Sequence, residues 1–465
     1  ILLLERCLEL APEFHVARTN YVTALARHQR FDEALAENER LRKAQPNSLA
    51  HQVQFATTLS LAGRFEPAHV EFEKALDQAP DNERILTSYG HSLRYGVKGE
   101  EAIAAYLRAV EVEPSAGEAY WSLANLKTFR FDDAQLTSMQ SQLSVLTQPS
   151  EDKIHLAFAV GKALEDRHEY DKSFAAYAEG NAIKRQISGY DADKTSVRVN
   201  QLIARCGADL WNGDGHSSNE PIFIIGLPRA GSTLLEQILA SHSQVEATAE
   251  LPFIGRIIGE MVAGRDRGEE PLYPRILNEL TVEERVARGQ QYLDLAAGYR
   301  GGKARFIDKL PNNWEHVALI KAILPNATII DARRHPMAAC FANFKQLFAR
   351  GQEFTYSLED IGRYYADYLR LMDHWHTVFP GGLLTVQYEE VVDELNTQVR
   401  RLLSHARLDF EAACLRYYEK DRAVRTASSE QVRQPIYRDA LNLWERYQAH
   451  LAPLASLLDE RGVPR

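Results

Sequence analysis

The chain has little cysteine, no long apolar run and no surplus of positive charge, and each shortage removes a class of function. Its four cysteines, Cys7, Cys206, Cys340 and Cys414, lie far apart and show no C-x-x-C spacing, which argues against a disulfide framework and against a zinc site. No apolar stretch approaches the roughly 18–20 residues that a membrane helix needs, so no membrane partner is expected. Lys and Arg total 54 against 64 Asp and Glu, a formal net charge of −10. That balance gives no support to a general nucleic-acid binder, although it leaves room for a local basic pocket. The first residues, Ile-Leu-Leu-Leu-Glu-Arg, carry neither an initiator methionine nor a basic n-region. No signal peptide is read there; the start looks cut from a longer protein, and the expected location is cytoplasmic. No Asp, Glu and His cluster resembles a metal site, and the one close histidine pair, His374 and His376, does not share a helix face. What remains is ordinary for a globular chain: 465 residues, 25% charged and 45% hydrophobic, with room for two or three domains.

The N-terminal part repeats. Prolines fall at 12, 46, 80 and 114, and the same 34-residue step links Ala34, Ala68 and Ala102, and Leu25, Leu59 and Leu93. Phe31 matches Phe65, and Phe72 matches Tyr106, in the same phase. This period, with small, leucine, aromatic and proline positions, resembles the tetratricopeptide repeat, in which each unit is a helical hairpin ended by the proline. Residues 1–14 read as the second helix of a unit. The segment 117–150 drifts by about two residues (Phe131, Ala134), and a degenerate unit is expected near 154–187, on Leu164, Tyr170, Ser173 and Tyr177. Such hairpins bury their apolar faces only by stacking. The expected organisation is an all-α tetratricopeptide superhelix over 1–206, a Gly, Asp, Asn and Ser-rich linker over 207–220, and a second domain over 221–465.

The second domain opens with an apolar strand pattern, Pro221-Ile-Phe-Ile-Ile225, followed by Gly226-Leu-Pro-Arg-Ala-Gly231-Ser-Thr233 and then apolar residues at helical spacing, Leu234, Leu235, Ile238 and Leu239. Strand, glycine loop and helix start form a phosphate cradle, because backbone N–H groups and the positive end of the helix dipole meet there. The loop is one residue away from the nucleotide pattern G-x-x-x-x-G-K-[ST]. Ser232 stands where the lysine belongs, which argues against ATP or GTP as group donor; the loop's cation is Arg229. Further strands are expected at Ala304–Ile307, Ala327–Ala332 and Leu383–Gln387, with helices such as Trp314–Leu324 and Leu358–Val378 between them. That alternation implies a three-layer α/β domain with a parallel sheet whose ligands sit at the carboxyl ends of the strands.

Three marked blocks follow in order. Pro228-Arg-Ala-Gly-Ser-Thr-Leu-Leu235, Asp308-Lys-Leu-Pro311 with Leu324-Pro-Asn-Ala-Thr-Ile-Ile-Asp-Ala-Arg-Arg334-His-Pro336, and Arg425-Thr-Ala-Ser-Ser-Glu-Gln-Val-Arg-Gln-Pro435 resemble the blocks of a P-loop sulfotransferase. Residues 221–456 look most like the tyrosylprotein sulfotransferases and the bacterial tetratricopeptide-repeat sulfotransferases. The resemblance implies 3′-phosphoadenosine 5′-phosphosulfate (PAPS) as cofactor and a sulfuryl transfer to an acceptor hydroxyl, with protein tyrosine, glycans and small hydroxylated molecules as acceptor classes. It also implies roles. Gly231, Ser232 and Thr233, with Ala230 and Leu234 beside them, hold the 5′-phosphate; Arg229 neutralises the sulfuryl group; Lys309 and Ser428 steady the leaving group. Arg334 holds the 3′-phosphate with Arg433 near it, and Glu250, in Thr248-Ala-Glu-Leu-Pro252, is the general base, with Glu246 and His242 as other candidates. Tyr388 matches a feature of the family at a strand end. In-line transfer needs charge neutralisation on the departing phosphate and a base on the acceptor, whose phenol would titrate near ~10.

Two positions depart from the family pattern: the loop serine is Ala230, and the serine usually eight residues after the 3′-phosphate arginine is Ala342, with Asn343 or Arg333 as substitutes. They motivate a second reading, a repeat-based protein-binding scaffold with a degenerate transferase domain. A third, a nucleotide kinase or NTPase, rests on the loop geometry and the Ile329-Ile-Asp331 strand end, and the missing lysine weighs against it. A protein or peptide partner on the repeats is compatible with every reading.

Overall fold

The computed structural model describes residues 1–208, 213–265, 271–419 and 441–464. By contact the chain falls into two compact units, Ile1–Glu169 and a second that begins at Tyr170. In the first, helices pair as His15–Arg27 with Phe31–Ala44, Leu49–Leu61 with Phe65–Gln78, and Glu83–Tyr95 with Gly99–Val112. Each second helix stops two residues before Pro46, Pro80 or Pro114, as expected when the residue preceding a proline is driven out of the helical region. The small positions Ala34, Ala68 and Ala102 have no exposure at all, so the paired helices close on one another where no side chain intervenes. The turn within each hairpin uses a left-handed residue at the same repeat position: Gln29, Gly63 and Val97, at φ 60, 79 and 66°. The following pair, Gly117–Asn125 and Asp133–Val145, starts in phase. The expected drift is confined to its connection, because the first helix is cut to 9 residues and Lys127 takes the left-handed conformation.

Two helices expected to belong to the repeats, Tyr170–Ser188 and Ala192–Arg205, group instead with the second unit. They are tied to the long helix Leu358–Val378 and its neighbours by polar bonds. Arg185 forks onto Asp360 (2.6 and 3.3 Å), Arg198 onto Glu315 (Nη2–Oε1 3.0 Å), and Ser196 donates to Asp367 at 2.5 Å. Asn181, buried, donates to the Phe344 carbonyl at 2.8 Å. The described end of the 207–220 segment is also tethered: the His216 amide donates to Ile323 O at 2.9 Å, and Asn326 donates to Ser217 O at 3.0 Å.

The second unit carries a five-stranded parallel sheet: β1 (Pro221–Gly226), β2 (Val245–Ala247), β3 (Arg305–Asp308), β4 (Thr328–Arg333) and β5 (Leu383–Gln387), in the order β2-β3-β1-β4-β5. Only β2 lacks a sequence signal, being three residues with one fully buried side chain. The helix expected at Trp314–Leu324 divides into a 3₁₀ turn, Pro311–His316, and an α-helix, Val317–Ile323. Leu358–Val378 forms over the expected residues. Right-handed crossovers run one way from β1 to β2 and the other way from β3 to β5, which places helices on both faces. β1, buried at every position, lies where the strand order reverses, so the loop after it opens into the crevice that α/β sheets use for ligands.

Filling the space between paired helices should unfold the array. Ala68→Leu, in the cluster with Leu35 and Leu59, is expected to cost about 1–3 kcal/mol by overpacking. Ala104→Leu, on an exposed face, should stay within about 0.5 kcal/mol. Urea titration followed by circular dichroism reads both.

Candidate active site at the carboxyl edge of the sheet

Each strand delivers a chemistry-bearing residue to the same edge. Arg229 follows β1, Glu250 follows β2, Lys309 follows β3, Arg334 follows β4 and Tyr388 follows β5. In a parallel sheet all five carboxyl ends point one way, so residues far apart in sequence share one rim.

The loop after β1 is fixed by its backbone. Gly226 sits at φ 132°, where an added Cβ would come 2.3 Å from the Ala332 carbonyl oxygen. Arg229 is left-handed at φ 63°, and Gly231, the N-cap of the helix Ser232–Ala240, is at φ 95°. No side chain caps that helix; its Leu234 amide closes onto Gly231 O at 2.9 Å, and the positive end of the helix dipole lies at the loop. Asn343, wholly buried, donates to the Pro228 carbonyl at 2.7 Å and to Ala339 O at 2.9 Å, pinning the loop to the helix Pro336–Phe344. Asn343 therefore serves the loop backbone. Arg333 is also committed elsewhere, to Asp331 at 2.7 Å and to the Tyr368 ring at 5.6 Å. Ala230 is buried, 3% exposed.

Arg334 lies beside the same loop. Its Nη1 donates to Arg229 O at 3.5 Å, its guanidinium stands 5.1 Å from the Tyr388 ring, and Glu389 lies 4.0 Å from its Nε. The Tyr388 ring also fills the space beneath Gly231, where a Cβ would meet Cδ2 at 2.6 Å.

Across the loop, Lys309 Nζ is paired with Glu250 Oε1. The lysine side chain is 4% exposed and the glutamate 50%, so a buried cation holds a carboxylate that is half open to solvent. The alternative bases lie elsewhere. His242, at the far end of the helix Ser232–Ala240, contacts Asp409 O at 3.0 Å and Glu411 at 3.3 Å. Glu246 accepts from the Gly301 amide at 2.5 Å and faces Arg300 at 3.5 Å.

Sequence reasoning passed over Asp308, which immediately precedes Lys309. It has no exposure; Oδ2 accepts from the Tyr292 hydroxyl at 2.7 Å and Oδ1 from the Leu251 amide at 3.3 Å. Burial pushes its carboxyl up to about 7, with Glu250 adding to the rise while Tyr292, Leu251 and Lys309 oppose it. The signal was present in the Asp-Lys pair at a strand end, but Tyr292, on the helix Val282–Ala297, belongs to no motif. Ser428 and Arg433, expected in the site, lie outside the described residues. His374 and His376 turn to different partners, Cys206 O at 2.8 Å and Thr385 Oγ1 at 2.9 Å. Among the described residues no group of three His, Cys, Asp or Glu side chains is placed to hold a metal ion, and no helix is long and apolar enough to cross a membrane.

Comparison with known proteins bears on this arrangement. Residues 221–412 match the model of the sulfotransferase family. Over 395 residues the chain is 31% identical to a protein of Aquifex aeolicus (strain VF5) described only as uncharacterized, covering 83% of this chain and 52% of that one. The chain thus spans about half the length of that relative. Over 272 residues it is 24% identical to protein-tyrosine sulfotransferase A of Caenorhabditis elegans, covering 56% of this chain and 70% of the relative. Among solved structures it is similar to the sulfotransferase domain of the Synechococcus PCC 7002 olefin synthase, at 20% identity and a TM-score of 0.34, covering 55% of this chain and 99% of the other. It is also similar to PilF of Pseudomonas aeruginosa, at 18% identity and a TM-score of 0.29, covering 40% and 82%. The segment that carries the loop, the Lys309–Glu250 pair and Arg334 lies within the residues that match the sulfotransferase family model.

Proposed function

We propose that this protein transfers a sulfuryl group from PAPS to an acceptor hydroxyl, with a tyrosine side chain of a protein or peptide as the acceptor. The observation that supports the reading is that Arg229, Lys309, Arg334 and the half-exposed Glu250 all follow the carboxyl ends of adjacent parallel strands, with Arg334 bonded to the loop backbone at Arg229 O and Lys309 paired with Glu250. The residues fit the donor. An anionic phosphate suits first-turn amides and the positive end of the helix dipole, and a loop with glycine at 231 lets backbone approach closely. The donor, when bound, supplies the activated sulfuryl group and a leaving phosphate.

The chain's residues do the rest. Gly231, Ser232, Thr233 and Leu234, with Ala230 behind them, would hold a 5′-phosphate by their amides. Arg334, packed on Tyr388, would hold a second, 3′-phosphate on the other side of the loop. Arg229 would meet the charge on the group in transit, and Lys309 the charge left on the departing oxygen. Glu250 would take the acceptor's proton. The Lys309–Glu250 pair fixes the carboxylate until the acceptor arrives, while the glutamate's exposure leaves one oxygen to receive it. An aromatic acceptor is supported by the named relative that acts on protein tyrosine, and the repeats offer a surface on which a peptide could be presented.

The second reading, a protein-binding scaffold with a degenerate transferase, is favoured by Ala230 and Ala342, since Asn343 and Arg333 are both engaged elsewhere. Titration calorimetry with adenosine 3′,5′-bisphosphate separates the two. The enzyme reading expects binding without magnesium; no heat of binding favours the scaffold. In the enzyme, Arg229→Ala should lower kcat at least roughly 100-fold, and retained turnover would refute its role. Glu250→Gln should lower kcat on the order of 10²–10⁴-fold with bisphosphate affinity unchanged. Arg334→Ala should instead weaken that affinity, roughly 10- to 100-fold, as read by the same calorimetry.

A further inference from the structure

Beneath the Lys309–Glu250 pair the chain closes a small ring. Lys309 bonds to Glu250 across space; Glu250 is joined by its peptide to Leu251; the Leu251 amide donates to Asp308 Oδ1 at 3.3 Å; and Asp308 is joined by its peptide to Lys309. The second oxygen of Asp308 is taken by the Tyr292 hydroxyl at 2.7 Å. Tyr292 is wholly buried, between the rings of Phe223 on β1 and Phe306 on β3, at 5.4 and 6.3 Å. A carboxylate with no access to water is thus bonded to the core on one oxygen and to the segment bearing Glu250 on the other.

We propose that Asp308 is a positioning residue for the acid–base pair: its ionised carboxylate, held by Tyr292, clamps the Leu251 amide and so fixes Glu250 against Lys309. The proposal rests on the sulfuryl-transfer reading of this site and deepens it. Asp308 does not reach the rim and touches no reacting atom.

The ionisable groups facing Asp308 are Tyr292 on its helix, Glu250 on the segment after β2 and Lys309 on its own strand end. Burial is the largest influence and holds the carboxyl up to about 7, with Glu250 in the same direction and Tyr292, Leu251 and Lys309 against it. Below that pH the carboxyl is protonated; the Tyr292 hydroxyl can turn to accept from it, and the Leu251 amide then faces a neutral oxygen, so its bond loses its charge assistance and weakens. Above it both donors are satisfied. The clamp is therefore closed on the alkaline side of neutrality and loosened on the acid side. Removing the Tyr292 hydroxyl takes away a bond that favours the ionised form, so the transition should move to higher pH.

The test compares the wild type, Asp308→Asn and Tyr292→Phe in the full chain. Steady-state kinetics are measured from pH 5.5 to 8.5 with PAPS and a tyrosine-containing peptide. Hydrogen exchange of the peptide covering 248–254, corrected for intrinsic rate, is followed over the same range. The wild type should gain kcat and protection together as pH rises through about 7. D308N should lower kcat roughly 10- to 100-fold, leave KM for the donor within about twofold and remove the step in protection. Y292F should retain both steps, displaced to higher pH. If D308N does not fold, the displacement in Y292F decides the matter. A wild-type pH profile and protection step in D308N, or no displacement in Y292F, overturns the proposal. If no acceptor is turned over, the sulfuryl-transfer reading fails separately, and the protection step, which needs no turnover, still decides whether Asp308 clamps the segment.

Discussion

Between Gly226 and Gly231 the chain leaves a buried strand and enters a helix through a passage walled by backbone and by one tyrosine ring. At the first glycine a side chain would collide with the Ala332 carbonyl, and at the second with Tyr388. Both glycines, and Arg229 between them, take left-handed dihedrals that an L-residue adopts only at a cost of order 1–3 kcal/mol when it is not glycine. Asn343 sustains that arrangement from below by capturing the Pro228 carbonyl. The helix Ser232–Ala240 then starts at the rim, with Gly231 as its N-cap. The central place of β1 in the sheet and the packing of Tyr388 against Gly231 hold this turn in position.

Around the turn, charge is distributed unevenly. The chain is acidic as a whole, at −10, yet Arg229, Lys309 and Arg334 stand together at one edge. Lys309 and Arg334 are largely withdrawn from water, with side chains 4% and 11% exposed. A cation in such a place is strengthened by the low local dielectric and weakened by its own desolvation, so it needs a partner. Glu250 serves Lys309, while Glu389 and the Tyr388 ring serve Arg334. Both cations are thus already oriented by weak or exposed partners.

Most of this was legible from the residues alone because it rests on local rules. The glycine spacing, the change from a strand period to a helical one, and the proline step of 34 residues each act over a few neighbours. The legible parts are accordingly the loop, four of the five strands and the hairpins up to Val112. What escaped depends on distant partners. β2 is too short to carry a pattern and exists because β3 pairs with it. The helices 170–188 and 192–205 look like more array, and only the acids at 315, 360 and 367 reveal where they belong. Asn343 and Arg333 carry the polar atoms a missing serine would have lent, yet their bonds go to Pro228 and Asp331. Asp308 was quoted within a motif, but its partner Tyr292 lies sixteen residues earlier on a helix with no signature.

The attachment of residues 170–205 to the second unit bears on how the transferase can be isolated. Asp360 and Glu315 are both buried, and their cations, Arg185 and Arg198, come from those two helices. A recombinant fragment started at the first strand would remove both counter-ions and uncover the face of the helix Leu358–Val378 on which they rest. The compact unit opens at Tyr170, so a truncation designed from the glycine loop alone would cut away two of its own helices along with the repeats.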